Sequence, residues 1–265
     1  CIDSLTKPFT KVYPQPKAKF GAVPLEVCLG EAIQFTDMSN GMSSPPNKWN
    51  WTFGDGSSSS LQNPVRIYPD SGTFVVRLFV YNAQNCISDI NSVSVIIHPY
   101  PKVDAGPDLF VLEGGTVQIK TNYYATNPSF LWSPSTYLNN DTIPRPFSTP
   151  AADITYLVTL TGIGGCSDTA SVFIKVLLKP SIPNAFTPNG DGINDTWHID
   201  YLESYPGATV EIFDRGGRML YRSFNYSKDW DGTYNGKPLP VGTYYYIVNP
   251  KNGRSVLSGS VTIIR

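Results

Sequence analysis

The run PNAFTPNGDGINDTW, Pro183 to Trp197, concentrates the residues of this chain best suited to chemistry. Asn189, Asp191, Asn194 and Asp195 offer hard oxygen donors of the kind that bind Ca²⁺. The run is not an EF-hand, because Ile193 falls at the fifth position and no Glu closes the loop. The same Asn, Asp and Gly residues also suit a turn network in which side chains bond to nearby backbone. Both readings stand at this level. Other reactive residues are sparse. His98 lies in a Pro-rich stretch and His198 just after the run, and neither belongs to an obvious Ser/His/Asp or Cys/His arrangement. No two of Cys1, Cys28, Cys86 and Cys166 have C-x-x-C spacing, which leaves little for a zinc site. The expectation is a chain that is not an enzyme, with no catalytic residues and no cofactor other than calcium.

The elements that must position these residues are strands. Charged residues are 15% of the 265, below the roughly 25% usual in soluble domains. Aromatics reach 13%, and there are 22 Gly and 23 Pro. Short alternating runs such as TFVVRLFVYN and SVSVIIHP recur, and no window holds a long helical apolar stripe. This is an all-β pattern with many turns. The net charge is −1, spread evenly and without a basic stripe, which argues against nucleic-acid binding. No apolar run approaches the ~20 residues of a membrane helix. The sequence starts at Cys1 without a signal peptide and reads as a fragment of a longer protein.

The cysteines mark a repeat. CIDSLTKPFTKVYPQPK, CISDINSVSVIIHPYPK and CSDTASVFIKVLLKP begin at Cys1, Cys86 and Cys166, at intervals of 85 and 80 residues. Upstream, GEAIQF aligns with GGTVQI, WNWTFGDG with FLWSPSTYL, and GTFVVRLFV with ITYLVTLTG. Strands of this length and spacing predict tandem immunoglobulin-like β-sandwiches. The expected organisation is a last strand of an upstream domain at 1–14, sandwiches at 15–98 and 99–179, and a third, seven-stranded module at 180–265.

In the first sandwich Trp49, Trp51 and Phe53 alternate with polar residues and share a strand face. Gly54-Asp55-Gly56 then turns the chain, with Asp55 as a turn aspartate or a ligand. Together with Asn63-Pro64, Tyr68 and Gly72-Thr73-Phe74, this segment resembles a PKD domain. The resemblance implies an extracellular spacer or interaction module. The second sandwich keeps Trp132 but has Ser-Pro in place of Phe-Gly-Asp-Gly.

Low cysteine use at repeated positions suggests disulfides. In such a sandwich Cys28 and Cys86 fall at opposite ends, roughly 33 Å apart at ~3.3 Å per strand residue, too far to be bridged. In a head-to-tail array Cys28 would instead lie near Cys166, and Cys1 and Cys86 would bridge to the upstream part. Cys28–Cys166 is the leading expectation, Cys28–Cys86 the alternative, and free buried thiols the third.

The third module carries F-T-P-N-G-D-G-x-N-D (Phe186–Asp195), Ile212-Phe213 with Arg215 and Gly217, Trp230-Asp231-Gly232, then G-x-x-L-P-x-G-T-Y-Y-Y (Gly236–Tyr246) and Arg265. These motifs, in this order, resemble the type B C-terminal domain of proteins exported by the type IX secretion system, known best from gliding-motility adhesins. One departure is Gly216, where Trp is common. The resemblance implies a folded export signal, recognised by an outer-membrane β-barrel shuttle protein and translocon components, with a barrel partner anchoring the cargo. It implies secretion across the outer membrane to the cell surface. The residues assigned to docking are Phe186, Arg215, Trp230, Tyr244, Tyr245, Tyr246 and Arg265. Alternation puts Tyr244, Tyr246 and Val248 on one strand face and Tyr245 and Ile247 on the other. One face fills the core, and the other either docks a partner or merely covers the sandwich. The function expected is the end of a surface adhesin. The alternatives are the non-catalytic tail of a polysaccharide-degrading enzyme, or a carbohydrate-binding module using Trp49 or Trp230.

Overall fold

The computed structural model describes residues 12–265, so the expectation for 1–14 and for Cys1 lies largely outside the described residues. The described chain is built of strands with two single-turn 3₁₀ segments. It packs as two compact units. One comprises residues up to Val103 with Tyr123–Phe130 and Thr159–Thr169, and the other comprises Asp104–Asn122, Leu131–Val158 and Ala170–Arg265.

In the first unit, Phe20–Val23, Ala32–Asp37 and Val65–Ile67 form one sheet. Glu26–Cys28, Asn91–His98, Gly72–Asn82, Pro46–Thr52 and Ser58–Ser59 form the other, in that order. Alternation along each strand sends Ile33, Phe35, Trp51, Leu78, Val80 and Val95 into the shared core. Trp49 is only partly buried and donates its indole N–H to Asp37 at 2.8 Å.

Asp55 does structural work. Its side chain is 3% exposed and receives the Ser57 N–H at 2.9 Å and the Arg66 guanidinium at 2.5 Å. Burial alone would raise its pKa, but the Ser57 bonds and Arg66 together hold it below the usual carboxylate value. Tyr68 closes the same turn by donating to the Phe53 carbonyl at 3.0 Å. Burial, with Asp55 nearby, pushes that phenol up to about 12.

Cys28 is bonded to Cys166, with Cα atoms 5.8 Å apart and 138 residues between them. Cys28 stands in register with His98, at the end of the sheet where Gly72 pairs with Ile97. Cys86 follows Asn82, at the far end of the 11-residue strand Gly72–Asn82. The strand length therefore rules out the Cys28–Cys86 alternative. Cys86 is also disulfide-bonded. Beside the Cys28–Cys166 bond the His98 ring fills the space over Gly164, where an added Cβ would meet it at 2.0 Å.

In the second sandwich, Leu109–Leu112, Ser167–Leu177, Ile154–Thr161 and Ser129–Ser133 make a four-stranded sheet. Val117–Gln118 pairs with Phe147–Ser148. The first sandwich's indole bond recurs here: Trp51 donates to the Leu61 carbonyl at 2.8 Å, and Trp132 to that of Ile143 at 3.0 Å.

The third module has a five-stranded sheet in the order Ala185–Phe186, Leu257–Ile263, Gly242–Asn249, Thr209–Phe213, Met219–Phe224. A small ladder, Thr233–Tyr234 with Lys237–Pro238, completes seven strands. Irregular segments supply much of the layer facing the sheet, including Trp197, Ile199, Leu202, Tyr205, Tyr226 and Trp230.

Replacing Asp55 with Ala should destabilise the first unit by about 2–4 kcal/mol, the cost of leaving a partly buried guanidinium without its partner. Because folding lowers this pKa, the Asp55 contribution is complete above the unfolded value of about 3.9 and is lost as pH falls through the folded value. Urea unfolding of wild type and Asp55→Asn across pH 2–7 should show their difference shrinking on acidification. A difference independent of pH contradicts this assignment.

Candidate functional site

The Asn- and Asp-rich run folds into an amide cage around one carboxylate. Asp195 Oδ1 accepts the N–H groups of Asn189 at 3.0 Å and Gly190 at 2.6 Å, and Oδ2 that of Gly192 at 2.7 Å. Asp191 accepts from the Ile193 N–H at 2.8 Å and from the Asn189 side chain at 2.8 Å. Asn194, at a φ of 53°, turns the chain so that its carbonyl meets the Thr187 N–H at 2.9 Å. The N–H bonds from Gly190 and Gly192, foremost, hold the Asp195 pKa below its ordinary value.

Of the calcium candidates Asn189, Asp191, Asn194 and Asp195, the two carboxylates are engaged by N–H groups of the loop itself. Both Asp195 oxygens and both Asp191 oxygens face N–H donors instead of converging on a common centre. The carboxylates organise the loop.

The loop leads into an aromatic core. Trp197 and Trp230 form an isolated bridge, with the Trp197 N–H bonded to the Trp230 carbonyl at 2.8 Å. The Trp230 ring lies 5.3 Å from Phe186 and 5.5 Å from Tyr244. Gly232, at a φ of 72°, has no room for a side chain to spare: a Cβ there would stand 3.2 Å from both Phe186 and Pro188. Phe186, Trp230 and Tyr244 are 3%, 1% and 7% exposed. Their assignment to docking is therefore corrected, because their rings are spent on the interior of the module. Trp230 and the half-buried Trp49 are likewise poor carbohydrate platforms.

The remaining docking residues divide. Tyr245, Arg215 and Arg265 are exposed. Tyr246 is half-buried on the inner face, 5.1 Å from Trp197 and packed over Gly259. The outer face holds an open groove of about 630 Å³ lined by Phe213, Arg215, Tyr245, Ile247, Ser258 and Ser260, among others. Tyr245 stands opposite Phe213 on one neighbouring strand and Ser260 on the other, and Ile247 stands opposite Ser258. Small serines beside the Tyr–Ile–Phe strip leave those side chains open. Arg265 is not among the lining residues. Phe213 and the serines went unassigned in the sequence, although the alternation of TVEIF, with Val210 and Ile212 inside, marks Phe213 as outward.

The histidines build no catalytic arrangement. His98 is buried against Glu26 at 2.9 Å. His198 pairs with Asp229 at 3.0 Å, and the Thr196 hydroxyl bonds to the same carboxylate rather than to the imidazole.

Residues 13–97 match the family model of the PKD domain, and residues 180–263 that of the CHU_C type IX secretion signal domain. The chain thus contains a PKD domain at 13–97 and, beyond a second sandwich that neither model covers, a type IX secretion signal domain at 180–263. Neither domain type is catalytic. Such a signal marks a secreted protein, exported across the outer membrane. No curated protein matches. Among solved structures, the PKD1 domain of the Vibrio cholerae metalloprotease PrtV is 20% identical, covering 32% of this chain and 98% of that one with a TM-score of 0.29. Drosophila OTK extracellular domains 3–5 are 14% identical over 96% of this chain and 98% of that one, with a TM-score of 0.36. A C-terminal intimin fragment in complex with its receptor's intimin-binding domain is 12% identical over 64% of this chain and 68% of that one, with a TM-score of 0.45.

Asp195→Ala should free the N–H groups of Asn189, Gly190 and Gly192 and speed their hydrogen exchange while leaving the five-stranded sheet protected. In the wild type the lowered Asp195 pKa means the cage is intact above the unfolded carboxylate value and loosens as pH falls through the folded one. The amide shifts of Gly190 and Gly192 should follow that titration, and shifts flat down to pH 2 would contradict the cage.

Proposed function

We propose that this chain is the C-terminal part of a large cell-surface adhesin, of the kind used in gliding motility. In this reading the sandwiches form its stalk. The secretion signal domain docks to an outer-membrane β-barrel shuttle and translocon components, and a barrel partner then holds it at the surface. The observation that carries the docking reading is the outer sheet face of the signal domain. Tyr245 is 49% exposed and Ile247 40% exposed, side by side on a regular strand with Phe213 opposite. Desolvating such a strip on a rigid sheet favours a protein partner, and Tyr and Arg are enriched at the centres of such contacts. Arg215 on the rim adds a directional charge. The amide cage and the Trp197–Trp230 bridge act behind this surface by fixing the sheet that presents it.

The test is export of the parent protein carrying Tyr245→Ser with Ile247→Ser. Both side chains are half exposed, so folding should change by less than about 1 kcal/mol. Surface delivery should fall at least about tenfold. Val256→Ser, at another exposed apolar position of the same domain, should export normally. Undiminished delivery of the double variant overturns the proposed docking face.

A further inference from the structure

The first and second sandwiches carry corresponding strands with different residues at their ends. In the first, Glu26–Cys28 runs parallel to Asn91–His98 and places Cys28 beside His98. In the second, Leu109–Leu112 runs parallel to Ser167–Leu177 and places Leu112 beside Leu177. The cysteine is used in a disulfide to Cys166. The leucines join a different core: Leu177, 1% exposed, belongs to the buried cluster of the secretion signal domain, and Leu112 packs against it.

Polar groups close over that contact. The hydroxyl of Tyr205, itself 1% exposed, donates to the Leu178 carbonyl at 2.6 Å. Arg254 Nε donates to the Tyr205 hydroxyl at 2.7 Å, and its Nη2 to the Leu177 carbonyl at 3.2 Å. The same guanidinium lies 3.6 Å from Glu113 and 5.8 Å from the centre of the Tyr205 ring. Arg254 is 16% exposed at its side chain. One cation thus ties three segments: the strand end at Leu177, the turn at Glu113, and the Tyr205 segment of the signal domain. The Leu177 carbonyl accepts the Glu113 N–H of its own sandwich at 3.2 Å, and the next module adds a second donor to it and one to the Leu178 carbonyl.

We propose that the secretion signal domain is clasped non-covalently onto the second sandwich, with Arg254 as the keystone, so that it stays attached when the chain is severed between Lys179 and Pro180. All four cysteines precede Lys179, so no disulfide can hold residues 180–265 after such a cut. The leucine contact, the bonds from Tyr205 and Arg254 to the Leu178 and Leu177 carbonyls, and the Arg254–Glu113 pair must do so. A proteolytic cut at this junction would not release the signal domain, and the second sandwich and signal domain unfold as one cooperative body. This inference does not depend on the docking face or on export.

The test uses the full chain with a protease recognition sequence inserted between Lys179 and Pro180, cut under native conditions and run on gel filtration at about 10 µM. The two wild-type fragments should co-elute with the uncut protein. With Arg254→Ala they should dissociate, with affinity at least about tenfold weaker after loss of charge-assisted hydrogen bonds. Separation of the wild-type fragments overturns the clasp. A second measurement avoids the insertion: hydrogen exchange of the uncut chain carrying Arg254→Ala. Exchange should quicken about tenfold both at Val176–Leu178 and at Leu202–Ala208. Quickening confined to the Arg254 turn overturns the proposal.

Discussion

The secretion signal domain depends on how the inner face of its five-stranded sheet is kept dry. A full second sheet is not there to cover it. Instead Trp197, Ile199, Leu202, Tyr205, Tyr226 and Trp230 are brought down onto Phe186, Val210, Ile212, Tyr244, Val248, Val261 and Ile263. Fully burying side chains of this size is worth about 1.5–3 kcal/mol each, and irregular backbone can deliver them only if its own polar groups are satisfied. Asp195 does this for the first loop with three amide bonds. The indole of Trp197 bonds to the Pro183 carbonyl at 2.7 Å and that of Trp230 to Thr233 at 3.2 Å. Phe186, Trp197, Trp230 and Tyr244 are therefore committed to the interior of the module, and Asp195 to the surface loop that leads into it.

The same economy appears in both sandwiches. Each hangs a central indole, Trp51 or Trp132, from a loop carbonyl. Each also ends a sheet in a parallel pair that offers one residue forward, Cys28 or Leu112. The first site forms a disulfide and the second an aliphatic contact sealed by Arg254. In the chain-entropy picture a bond spanning 138 residues contributes about 5 kcal/mol by restricting the unfolded chain. The leucine junction gains nothing of that kind and rests on packing and hydrogen bonds in the folded state.

Strand identity and face were legible wherever residues alternate. Period alone puts Trp51 and Phe53 on one face and separates Tyr244 from Tyr245, but which tyrosine faces the core is set by the packing. The turn role of Asp55 was legible because a Gly-Asp-Gly turn and an Asx bond follow from short-range chemistry. Three things were not. Phe186 sits in a two-residue strand and Trp230 in an isolated bridge, so no alternating run marks either one, and their burial depends on tertiary packing that spacing does not encode. Oxygen donors such as Asp191 and Asp195 look alike whether they face a cation or their own backbone amides. Leu177 reads as one more strand residue, and its place in the next module's core shows only when Tyr205 and Arg254 are seen beside it.

In the proposed function other proteins read the outer sheet face, and the loops behind it are structural. Site-specific photo-crosslinking in cells tests it most directly, using a photoreactive residue placed at Tyr245, at Ser260, or in the cage loop at Ile193, which is 67% exposed. The account predicts adducts to an outer-membrane barrel protein from positions 245 and 260 and none from 193. Adducts from 193 with none from 245 or 260 would contradict it.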